Sequence, residues 1–259
     1  MPLALEDQPR RFYETNSLRL VVCQLRFPVI HRFDEPGALA RFQEALGDRY
    51  PRSAPEQQVT IAGGPAVAAP SAAALQYWRF QGVDDGWSVA IARDFVSLET
   101  TVYERYEDFR ERVGGVIDAT LALGITLRER LGLRYVDEIR HPEAKKPGDW
   151  RRFLNEKLLG MVGGDELGDD VVQALQDIRL REDNGTLAIR HGYLGAEVAG
   201  GDAFYLLDLD YYEDRPVPLD AEQLLAQLDD YHHVMHNVFE RAITDALREH
   251  LVIKEEIRA

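Results

Sequence analysis

The chain has 259 residues, 45% of them hydrophobic and 29% charged, an ordinary globular composition that supplies a sizeable core and excludes wholesale disorder. Its 45 acidic and 30 basic residues leave a formal charge of −15, which repels phosphate backbones and anionic lipid surfaces, so nucleic acid is not an expected partner. No apolar run approaches the roughly 18 residues of a spanning helix, and the first residues carry acid early without a basic-then-apolar signal, so the chain reads as cytoplasmic with no membrane contact.

Residues 18–27 alternate and are rich in Val and Leu, which predicts a strand ended by Pro28. Cys23, the only cysteine, shares the phase of Val21 and Leu25 and reads as a buried structural thiol; a single cysteine forms neither an internal disulfide nor a cysteine metal cluster. Asp34 predicts a cap for a helix carrying Leu39, Phe42 and Leu46, with Pro36 near its first turn. Residues 57–61 fit a short strand, and the small-residue stretch 62–74 reads as a loop. Residues 75–80, 87–92 and 95–103 alternate between turn-like segments, which predicts an antiparallel meander. Phe109, Val113, Val116, Ile117, Thr120 and Leu121 then recur at helical steps, and Gly124 ends the helix.

A second round follows in the same order. Residues 133–139 predict a strand stopped by Pro142, and Asp149 predicts a cap for a helix through Trp150, Phe153, Leu154 and Leu158. Glycines at 160, 163, 164 and 168 read as a loop, and strands are expected at 178–181, 187–191 and 204–212, the first two joined at Asn184-Gly185. A long closing helix carries Leu224, Leu228, Tyr231, Met235, Val238, Phe239, Ala242, Ile243 and Leu247 on one stripe. Val22 to Pro28 aligns without a gap to Val136 to Pro142, and Phe95, Leu98, Tyr103 and Glu104 match Phe204, Leu207, Tyr212 and Glu213 in spacing.

The expectation is therefore an α+β single domain over 1–259, a duplication of strand-helix-meander-helix halves at about 15–125 and 130–252. The halves would form one or more antiparallel sheets with helices packed on one face. One continuous sheet and two sheets meeting around a central groove both satisfy the pattern.

The segment Leu131-Gly132-Leu133-Arg134-Tyr135-Val136-Asp137-Glu138-Ile139 resembles an uncharacterised, sporadically distributed bacterial family. The Trp87 strand, residues 103–109, residues 207–211 and the closing helix at 239–247 extend that resemblance over nearly the whole chain. Its most specific part is Leu-Gly-Leu-Arg-Tyr; this chain has Val136-Asp137 where the family pattern suggests isoleucine and asparagine. The resemblance implies a family and a length, and no activity or functional residue comes with it.

Several residues are candidates for chemistry. Arg134 interrupts an apolar strand where its counterpart in the first half is Leu20, so an inward position carrying charge is expected; Asp208 and Asp210 share one strand face, opposite Leu207, Leu209 and Tyr211, and Arg134, Asp208, Asp210 and Tyr211 make the candidate ligand-binding set. His232 and His236 are spaced to place two imidazoles on one helix face, a geometry used for zinc, with Asp229 and His233 nearby. Phosphate loops, strand-linked dinucleotide fingerprints and nucleophile elbows are missing from the sequence, so no cofactor is expected. The leading reading is a non-enzymatic interaction protein, an acidic adaptor or neutralising partner of another protein, with a homo-oligomer also open. The alternatives are a small-molecule binding module with a groove between the halves and a metal-dependent hydrolase.

Overall fold

In the computed structural model, residues 7–35, 37–62, 71–83, 86–163 and 168–257 are described. The elements are β1 (Arg10–Tyr13), β2 (Leu18–Arg26), α1 (Ala38–Leu46), β3 (Arg52–Ala62), β4 (Ser71–Gln81), β5 (Trp87–Ile91), β6 (Phe95–Thr100), α2 (Tyr106–Ala122), β7 (Leu127–Ile139), α3 (Glu156–Leu159), β8 (Gln173–Glu182), β9 (Gly185–Leu194), α4 (Ala196–Ala199), β10 (Phe204–Pro218), α5 (Ala221–Ala242), α6 (Asp245–Leu251) and β11 (Ile253–Ile257). Strands β2 to β10 form one nine-stranded antiparallel sheet in the order β3-β4-β5-β6-β2-β7-β10-β9-β8, and β1 pairs with β11 as a separate ribbon. The mixed α+β class is as expected. Of the two arrangements the pattern allowed, the chain adopts the continuous sheet: β2 and β7 hydrogen-bond directly at its centre, so no groove separates two sheets.

Outward from the β2/β7 seam the order is β6-β5-β4 on one side and β10-β9-β8 on the other. The two sequence alignments make Val21 the counterpart of Tyr135 and Thr100 the counterpart of Leu209, and the registers obey both. Val21 lies opposite Thr100, and Tyr135 lies opposite Leu209. Val21 and Tyr135 also face each other across the seam. The correspondence is one of topology and register; among the described residues β3 has no counterpart in the second half.

Period-two alternation divides the sheet into an apolar face and a charged one. Val21, Cys23, Leu25, Leu131, Leu133, Leu207 and Leu209 are buried on the face that the helices cover. The helices seat on this face through ring pairs: Phe42 of α1 on Phe80, Phe109 of α2 against Trp87, and Tyr231 of α5 stacked on Tyr211 at 4.1 Å. Each such fully buried side chain contributes about 1.5–3 kcal/mol, so this single layer dominates the stabilisation. Burial alone pushes the Cys23 thiol up to about 12, which keeps it unreactive.

Several elements differ from expectation. The side chain of Asp34 lies outside the described residues, as does Pro36, and Gly37, in the left-handed region, occupies the N-cap of α1. Strand β4 begins at Ser71, inside the stretch read as a loop, while residues 63–70 lie outside the described residues. The helix expected from Asp149 to Leu158 is a 3-10 turn, Pro147–Arg152, followed by the single turn of α3. Its helical spacing loses to a tertiary bridge: Leu154 pairs with Ile243, and the Asn155 amide donates to the Ala242 carbonyl. The same bridge breaks the closing helix, because Ile243 turns extended and Thr244 starts α6 anew. At the β8/β9 hairpin Gly185 has φ +148°, and an added Cβ would lie 2.3 Å from the Tyr212 carbonyl oxygen, so only glycine fits there.

Candidate functional site

Of the ligand set expected from the sequence, Arg134, Asp208 and Asp210 come together and Tyr211 stands apart from them. Arg134, Asp208 and Asp210 point from the uncovered face, because Arg134 alternates with the buried Leu133 and Tyr135; the expectation that Arg134 points inward is corrected. Arg134 donates a bidentate pair to Asp208, Nε to Oδ1 and Nη2 to Oδ2, both at 2.7 Å. Arg130 approaches Asp210 at 3.8 Å, and the carboxyl of Asp210 is raised by burial against the pull of Arg130 and Arg134. Tyr211 belongs to the other face, where it stacks on Tyr231. The charged residues are a cross-strand lattice on a solvent-facing sheet, and Tyr211 is core.

His232 and His236 do share a face of α5, with ring centroids 6.1 Å apart. Both are engaged in hydrogen bonds. His232 Nδ1 is bonded to the Tyr135 hydroxyl at 2.8 Å and its ring stacks on Tyr106 at 3.8 Å with the planes nearly parallel, while His236 Nε2 donates to the Pro9 carbonyl at 3.2 Å. Asp229 instead ties α2 to α5, accepting from the Tyr106 hydroxyl and, in bidentate form, from Arg110. Among the described residues no group of three His, Cys, Asp or Glu side chains is arranged to hold a metal ion.

These histidines instead open onto the site that the candidate set missed. Between the covered face of the sheet and α5 lies a hollow of about 790 Å³ of space not filled by atoms, open solvent at its mouth included. Ser17, Tyr103, Tyr135, Asp137, Leu209, His232, Met235, His236 and Phe239 line it, and β1 supplies Arg10, Arg11, Phe12 and Tyr13. A shallower neighbouring hollow shares Arg10, Tyr106, His232 and His236 with it.

Local structure explains the convergence. Asp137 stands in phase with Leu133, Tyr135 and Ile139 on β7, opposite Leu207 of β10, and is therefore carried into the core at 3% exposure. Its Oδ1 accepts the Ser17 hydroxyl at 2.7 Å. Burial raises its carboxyl to about 7, a little offset by Ser17 and reinforced by the charge of Asp208. Tyr135 is fully enclosed; burial and the hydrogen bond with Tyr103 hold its phenol well above its ordinary value. Burial first, then the neighbouring His236 and Arg10, depresses His232 well below the usual imidazole value, so it is neutral at physiological pH; burial also lowers His236.

The ribbon of β1 and β11 is anchored over this region by one carboxylate. Glu240 of α5 has a fully buried side chain and accepts Arg11 Nη1 and the Tyr13 hydroxyl at 2.7 Å, and Arg248 Nε at 3.1 Å. The ribbon thus brings β1 to the cavity wall, with β11 paired behind it. Neither terminal strand was foreseen, because segments of four and five residues carry too little periodicity to stand out. Asp137 did leave a signal, an acid in the apolar phase of a strand.

Comparison with known protein families matches no family model, and comparison with curated proteins returns no relative. Among the described residues no helix is long and apolar enough to cross a membrane.

Proposed function

We propose that this chain is a small-molecule binding protein whose site is the hollow beneath α5, displaced from the inter-half groove that the sequence suggested. The observation that carries the reading is convergence: Tyr103 from the segment after β6, Tyr135 and Asp137 from β7, and His232 and His236 from α5 come onto one largely apolar cavity with Leu209, Met235 and Phe239. Ligand sites are commonly concave and apolar with a few placed polar groups, and this cavity has that composition. The proposal carries no catalytic step. Mass spectrometry of the chain purified under native conditions, before and after denaturation, is expected to release a stoichiometric small molecule. Leu209→Trp, which fills the cavity, is expected to abolish that release, and retention of the same molecule by the filled variant would refute the reading.

A protein partner is the second reading, favoured by one observation. Strand β8 ends the sheet with none of its residues buried, Ile178 being exposed, and so offers an open edge for strand addition. Recovery of a stoichiometric protein on the native chain, lost on Ile178→Pro, supports it; unchanged recovery refutes it. Common descent of the two halves belongs to the same proposal and is supported by their shared register.

A further inference from the structure

Asp137 has an electrostatic environment unlike that of the other carboxylates discussed above. Among the described residues no lysine, arginine or histidine pairs with it, and the influences on its charge are burial, the Ser17 hydroxyl and the like charge of Asp208. The cations near the cavity are committed elsewhere: Arg10 to Glu107, Arg11 to Glu240 and Glu256, Arg110 to Asp229, and Arg134 to Asp208 on the opposite face. An ionised carboxylate in such surroundings costs several kcal/mol unless a cation joins it, and no side chain supplies one.

The space beside Asp137 is suited to that missing cation. Tyr103 and Tyr135, with ring centroids 5.8 Å apart, line the same cavity, and tyrosine ring faces attract ammonium groups. Glu104 adds a second, exposed carboxylate to the lining. The two imidazoles that face the cavity, His232 and His236, are held neutral by burial and so do not repel an incoming positive charge. Leu209, Met235 and Phe239 complete a wall with no polar group to recognise, which calls for an apolar body.

We infer that the ligand is an organic cation, an ammonium group on an aromatic or aliphatic body, with its nitrogen on Asp137 beside Tyr103 and Tyr135 and its body against Leu209, Met235 and Phe239. The inference rests on the cavity being a ligand site. The groups facing Asp137 and its ligand are Arg10, Arg11 and Tyr13 from β1, Tyr103 and Glu104 after β6, Tyr106 from α2, and His232 and His236 from α5. Of these, the two histidines are lowered and the tyrosines Tyr13, Tyr103 and Tyr106 are raised, so Asp137 is the cavity carboxyl expected to change charge near neutrality.

The test is calorimetric titration of the full chain with three probes of one shape: phenethylamine, its neutral analogue phenethyl alcohol, and the anion hydrocinnamate. The amine is expected to bind at least about tenfold more tightly than the alcohol near pH 8, with hydrocinnamate weakest. Its affinity is expected to fall by up to about tenfold per pH unit below the carboxyl's transition, because the proton and the cation compete for one carboxylate. Asp137→Asn, which keeps an acceptor for Ser17, is expected to equalise amine and alcohol. Equal binding of amine and alcohol by the native chain, or an amine preference that survives Asp137→Asn and is flat with pH, overturns the cation while leaving the cavity as a site for neutral ligands. If no probe binds the native chain at millimolar concentration, the cavity reading falls and the cation inference falls with it.

Discussion

Asp137 and Asp208 sit on adjacent central strands, both nearly buried, yet on opposite faces of one sheet. Asp208 is clamped by both nitrogens of the Arg134 fork, and its charge is satisfied within the protein. Asp137 has one hydroxyl and no cation, so its proton is held until about pH 7. Burial by itself therefore does not determine the state of a carboxylate; the partner on the same face does. The uncovered face is a closed electrostatic lattice, and the covered face holds an open acceptor beside empty space.

The largest expected effect tests the covered face as packing. Leu133→Ala removes a fully buried side chain beside the seam and is expected to cost about 2–5 kcal/mol in chemical denaturation, with an unchanged denaturant slope. A loss under about 1 kcal/mol would mean that this layer is not the principal core.

Asp137 provides the pH test. Its folded carboxyl titrates near 7 and its unfolded one near the ordinary Asp value of about 4, so between these the native state holds a proton that the unfolded state has lost. The contribution of this group is complete below about pH 4 and declines by roughly 1.4 kcal/mol per pH unit until about pH 7, where it levels off. Asp137→Asn is expected to remove this slope and to be the more stable protein near pH 8, read from melting temperatures across the range. Parallel curves for the two proteins would break the contrast.

Arg134→Ala leaves Asp208 nearly buried without its partner, but the arginine side chain is 46% exposed, so solvent tempers the loss to about 1–3 kcal/mol. Arg134 stands on the face opposite the cavity and bears on Asp137 only through the charge of Asp208, so this variant is expected to leave amine binding in the cavity within about twofold of the native value. A larger change would couple the faces. The smallest effect is expected at the exposed Arg110–Asp229 pair: Arg110→Ala should cost under about 1 kcal/mol, and the difference from the native chain should vanish at high salt.

Much of the secondary structure could be read from local pattern. Residues 18–27 and 87–103, helix α2 and most of α5 follow their periodicities, since one buried face imposes spacing of two or about 3.6 residues on any sequence that covers it. The same rule separates Tyr211 from Asp208 and Asp210, and it marks Asp137 as an acid in the core phase. It also put Arg134 outward, a conclusion obscured by comparing it with Leu20 rather than with its own neighbours.

Periodicity reports which face of an element is buried, not what that face meets, and here the remaining decisions were tertiary. Helical spacing at Trp150, Phe153 and Leu158 yielded to the bridge between Leu154 and Ile243, which also divided α5 from α6. Pairing of β2 with β7 chose one sheet over two. The cavity needed Ser17, Tyr103, Asp137 and His232 from four places in the chain, under a ribbon joining both ends, and no local spacing encodes such a meeting. The amino-acid order set the apolar and polar faces; long-range packing decided that one acid on the apolar face would stand beside empty space without a cation.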